Sequence, residues 1–126
     1  MGRLERGAAV VDFVLVTVVL VPLVLGIVQL GLVLHVRNTL TAAASEGARL
    51  GATVDHGPED GAALTSSRVA GVLAGEYAQD VTAAETAVDG YPGVVVQVRA
   101  EVPALGLFGP AVALEVEGHA VEEQLP

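Results

Sequence analysis

Hydrophobic and polar positions divide the chain into three regimes. From Phe13 to Leu34, 22 consecutive residues include no Asp, Glu, Lys, Arg or His. At about 1.5 Å per residue, a helix over this run is roughly 33 Å long, enough to cross a hydrocarbon layer of about 30 Å. Its interruptions are Thr17, Pro22, Gly26, Gln29 and Gly31, none of them charged. The spacing predicts that the helix continues through His35 to Ala52, a stretch with no proline and abundant Ala and Leu. After the loop Asp55–Gly61, Pro58 with Glu59 and Asp60 suits the first turn of a second helix, where carboxylates meet the positive end of the backbone dipole. Val69, Val72, Leu73 and Tyr77 form its apolar stripe, and the helix should end near Asp80.

The last third changes period. Val94, Val96, Val98, Ala100 and Val102 alternate with other residues, as do Val112, Leu114 and Val116, which predicts two half-buried strands. Ala104–Pro110 joins them as an antiparallel pair. Asp89–Gly93 reads as a turn, with a weaker strand before it at Thr82–Val88. A sheet of two or three strands is marginal alone and needs a helix over it. The predicted fold is therefore α+β. A long N-terminal transmembrane helix extends outward, and one amphipathic helix packs on a small antiparallel sheet. The expected domains are a leader at 1–7, the membrane helix at 8–35, its extension at 36–53 and an extracytoplasmic domain at 54–126.

Composition sharpens this picture. Hydrophobic residues make up 52% of the 126, but aromatics only 3%. A soluble core normally draws on aromatics for buried area, so the Val-, Leu- and Ala-rich content points to the bilayer. A cleaved secretory signal has a shorter apolar region, and a buried soluble helix needs a shell that the remaining residues are too poor in large side chains to build. The chain has no cysteine, which excludes disulfides, cysteine-ligated metals and thiol catalysis. From Asn38 onward there are three Arg against thirteen Asp and Glu. That acidity argues against nucleic acid as a partner. Arg3 and Arg6, against Glu5, precede the span. By the positive-inside bias the N-terminus lies in the cytoplasm and the C-terminal domain outside.

Little else suggests chemistry. His35, His56 and His119 lack metal-ligand spacing, Ser66-Ser67 has no base nearby in sequence, and the glycines form no phosphate loop. Glu115 and Glu117 fall on one solvated strand face. Glu46 and Arg49 are spaced to pair along one helix. The expectation is a protein that is no enzyme and has no cofactor or metal.

Asp12 is the anomaly, because a carboxylate at the edge of a membrane span is costly without a reason. Pro22 removes a backbone donor inside the span and either loosens the helix or is simply tolerated there. Small residues recur every four positions at Ala43, Gly47 and Gly51 and again at Ala44, Ala48 and Ala52. Such faces suit close packing against a neighbouring helix or against the chain's own domain.

Arg6-Gly7-Ala8-Ala9-Val10-Val11-Asp12-Phe13, with Pro22, Gly26 and Gly31 and the continuation Val36–Arg49, resembles the TadE-like pseudopilin family of type IV pilin-like proteins. The resemblance covers residues 6 to about 52. It departs from the family at one point, since Asp12 stands where the family usually has Glu. The resemblance implies cleavage by a prepilin peptidase between Gly7 and Ala8, which places Asp12 fifth in the mature chain. It also implies that the Asp12 carboxylate pairs with the freed amine of a neighbouring pilus subunit in the cytoplasmic membrane. The other reading is an uncleaved, membrane-tethered extracytoplasmic binding module.

Overall fold

The computed structural model describes residues 2–73, 80–102 and 112–123. Helix α1 runs unbroken from Arg3 to Gly51, 49 residues and therefore roughly 73 Å. It continues through Pro22, which lacks the N–H that would otherwise bond the Val18 carbonyl. Helix α2 spans Pro58–Val72, with proline in its first turn and Glu59 and Asp60 beside it as expected. The Asp60 carboxylate accepts the Gly57 N–H at 3.0 Å, satisfying a donor just ahead of the helix.

Three strands follow, β1 (Val81–Val88), β2 (Tyr91–Val102) and β3 (Val112–Val121), in the order β1-β2-β3 and antiparallel throughout. The weaker strand read from the sequence is a full partner. The turn between β1 and β2 is tighter than Asp89–Gly93, because only Asp89 and Gly90 lie outside the strands. Their φ angles are +50° and +83°, the left-handed pair that lets a two-residue hairpin follow the twist of its strands. Ala104–Pro110, expected to connect β2 and β3, lies outside the described residues.

The core draws on all five elements. Val94, Val96, Val98 and Val102 of β2 and Leu114 and Val116 of β3 face Val36, Leu40, Ala43, Ala44 and Ala48 of α1, with Val69 from α2. The α1 positions Val36, Leu40, Ala43, Ala44, Gly47, Ala48 and Gly51 make one continuous stripe at helical spacing. The sequence placed a single helix over the sheet. The structure places two, and the far half of α1 is the more central. With no buried aromatic among the described residues, small side chains let backbones close up instead. A Cβ on Gly47 would strike Thr65 Oγ1 and the Gly61 carbonyl, and a Cβ on Gly118 would strike the α1 backbone at Ala44 and Ser45.

Two expectations are corrected. The second helix ends at Val72 rather than near Asp80, with Leu73 extended at φ −115° and ψ 174°. The helical stripe therefore fails at its end: Val69 is buried, Val72 is 66% exposed, and Leu73 turns back onto the core. Tyr77 lies outside the described residues. Glu46 pairs not with Arg49 along α1 but with Arg68 across on α2, at 2.9 Å. Both side chains are about half exposed, so the pair adds less than about 1 kcal/mol.

Thr65 is the buried polar side chain of this core. Its hydroxyl lies 2.8 Å from the Gly61 carbonyl of its own helix and 3.2 Å from the Ala43 carbonyl of α1. Both carbonyls are also within reach of helical N–H donors, so Thr65→Val leaves neither orphaned. The expected loss is about 1 kcal/mol, a fall in melting temperature of about 5 °C for a domain of this size, measurable by circular dichroism in detergent. An unchanged melting temperature would show that the hydroxyl does not join the helices.

Candidate processing and assembly site

Residues 3–31 of α1 stand apart from the core. Gly2 precedes the helix, its carbonyl accepting the N–H groups of Glu5 and Arg6 at 3.2 and 3.4 Å. Gly7 and Ala8 lie in the second turn, helical and exposed, and nothing lies within 4 Å of where a Gly7 Cβ would be. One turn further on is Asp12, also exposed, followed by Phe13 at 72% exposure. Leu15, Val16, Val19, Leu20 and Leu23 sit three, four, seven, eight and eleven residues after Asp12 and line one shallow apolar groove. The carboxylate thus heads an apolar stripe. The polar interruption at Thr17 is satisfied within the helix, its hydroxyl donating to the Phe13 carbonyl at 2.8 Å. Pro22, Gly26 and Gly31 are exposed on the same free segment.

The small-residue positions are placed differently. Ala43 accepts from Thr65, Gly47 abuts Gly61, and Gly51 lies against the Gly57 carbonyl and Val94. In the single chain these three face the chain's own α2 and β2. As the α1 numbers fall from 51 to 43 their α2 partners rise from 57 to 65, so the two helices run antiparallel. Sequence reasoning missed Gly61, Thr65 and Gly118, the other side of these contacts. The available signal was glycine inside a helix and inside a strand, which often marks a close backbone approach.

The remaining polar groups are occupied locally. The His56 ring lies 2.9 Å from the Thr53 hydroxyl. On the solvated sheet face Gln97 donates to Glu117 at 2.7 Å, and His119 stands 3.5 Å from Glu117. Among the described residues no three His, Asp or Glu side chains gather as a metal site.

A free apolar helix that ends in a small helix–sheet domain defines a class. Among the described residues α1 is the one helix long and apolar enough to cross a membrane, and no residue of its most apolar window is buried. Together with the comparison that follows, these features fit a membrane-anchored, pilus-related protein. The model of the family described as TadE-like protein matches residues 7–49, about a third of the chain, and over that stretch the protein is similar to this family. The match covers α1 almost to its end and leaves the sheet outside it. No curated protein and no solved structure matches the chain.

Proposed function

We propose that the chain is a minor pseudopilin, a non-enzymatic component of a pilus-type apparatus. It is cut after Gly7 by a prepilin peptidase and assembles through α1 in the cytoplasmic membrane. The carrying observation is Asp12, an exposed carboxylate five positions after Gly7 at the head of the unpartnered apolar stripe. Cleavage creates an α-amine at Ala8. A buried carboxylate and amine from neighbouring chains offset each other's desolvation, whereas either one alone in lipid is costly. Arg3 and Arg6 on the leader side support a cytoplasmic N-terminus. The partners are the bilayer, the peptidase and other pilus subunits.

A second reading, the uncleaved tether, draws support from the helical state of Gly7 and Ala8. A peptidase needs the backbone opened, so processing requires the first two turns of α1 to fray. Helix ends do this at little free-energy cost. Sequencing the N-terminus of protein extracted from its native membrane decides the matter. A start at Ala8 supports the pseudopilin, and a start at Met1 or Gly2 establishes the tether.

A further inference from the structure

The apolar run and the core of the helix–sheet domain overlap on the same residues. The run ends at Leu34, yet Leu32 and Val33 already pack against the core and Val36 is buried in it. No stalk separates them. Two contacts fix how the sheet lies along α1: Gly118 meets the backbone at Ala44 and Ser45, and the Glu123 N–H bonds the Ala52 carbonyl at 2.7 Å. Strand β3 therefore runs in the same direction as α1. From Ala44 down to Leu32 is about 18 Å of helix, and from Gly118 down to Val112 is about 20 Å of strand. Val112, paired with Val102, thus reaches the level at which the apolar run ends.

We propose that this end of the domain rests on the lipid headgroups, a second membrane contact besides the span. The proposal rests on reading α1 as membrane-spanning. The charge pattern fits the contact. No acid occurs between Asp12 and Glu46, and exposed Arg37 stands one turn beyond the apolar run, where it can meet lipid phosphates. At the opposite end, Asp55, Glu59, Asp60, Asp89, Glu122 and Glu123 hold acidity away from the surface. Among the described residues Glu101, opposite Ala113 on the solvated face, is the carboxylate nearest the base. It holds the contact at headgroup depth, because entry into hydrocarbon would strip its water.

The chain has no tryptophan, so one introduced indole reports its own depth. Ala113→Trp, Tyr91→Trp and Leu23→Trp are placed separately in the full chain and reconstituted in two sets of phosphatidylcholine vesicles, one brominated near the headgroup and one near the acyl-chain ends. All three positions are exposed. Leu23→Trp tests the span itself. The expected result is quenching of Leu23→Trp, at the middle of the span, by the chain-end bromines. With the headgroup bromines, Ala113→Trp, which lies within the interfacial layer, loses about half its emission. Tyr91→Trp emission is unquenched in both. Quenching at Leu23→Trp with none at Ala113→Trp overturns the headgroup contact and leaves the span. Equal quenching at Ala113→Trp and Tyr91→Trp overturns it as well, because the domain then lies on its side. No quenching at Leu23→Trp overturns the membrane reading and this contact with it.

Discussion

Gly118→Val is expected to destabilise the helix–sheet domain strongly while leaving α1 helical. Gly118 sits mid-strand in β3, opposite Val96, with its face turned to α1. The obstruction to a side chain is backbone on the helix side, the Ala44 carbonyl group and the Ser45 amide, and backbone cannot rotate away as a side chain can. The sheet must lift from the helix, which loosens Val94, Val96 and Val98 from Leu40, Ala44 and Ala48 together. Overpacking of this kind costs about 3 kcal/mol or more, against a total stability of order 5–13 kcal/mol for a domain of roughly 90 residues. The melting temperature of the β signal should fall by at least about 12 °C, read by circular dichroism or protease resistance in detergent. Gly71→Ala is the control, since nothing lies within 4 Å of its Cβ position, and it should leave stability unchanged or slightly raised. A Gly118→Val protein that melts with the parent would refute the close contact.

The second large effect concerns Asp12. Asp12→Ala removes the carboxylate from the head of the apolar stripe, so insertion of α1 into the bilayer should be undisturbed. Incorporation into the assembled apparatus should collapse. An amine left buried without its partner costs about 3–5 kcal/mol, which corresponds to a hundredfold loss or more. Asp12→Glu keeps the charge and lengthens the reach by one methylene, and should restore incorporation. Asp12→Asn keeps the shape without the charge and should behave like alanine. The measurement is the amount of each variant in apparatus isolated from native cells, relative to the amount in whole membranes. Equal incorporation of Asp12→Ala and the parent would falsify the charge-pair account.

The elements whose period is set by burial on one face were legible in the sequence. The valines of β2 alternate because one face meets the helices and the other meets water, and the long apolar run announces itself by length. Asp89-Gly90 was legible as a turn, but its two-residue form follows from the φ angles the strands impose. What failed was reading a local pattern past the point where tertiary contacts take over. Val72 continues a helical stripe on paper, but α2 stops there, and Leu73 reaches the core from an extended backbone instead. Glu46 had a plausible neighbour in Arg49, but Arg68 comes within 2.9 Å from another helix. Spacing cannot reveal a partner 22 residues away.

Of the candidate site, the positions of Gly7, Ala8, Asp12 and Phe13 were readable because they depend only on a helix and a count. The role of Ala43, Gly47 and Gly51 was not readable. A small-residue face looks the same whether it meets another chain or its own, and only Gly61, Thr65 and Val94 show what it meets here.

The clasp between the Glu123 N–H and the Ala52 carbonyl has a mechanical consequence. From Leu32 to Ala52 the rod packs against the sheet along its length and is fastened to it at the tip. A twist or a push delivered to α1 is therefore passed to the sheet, and a load on the sheet returns down the same shaft.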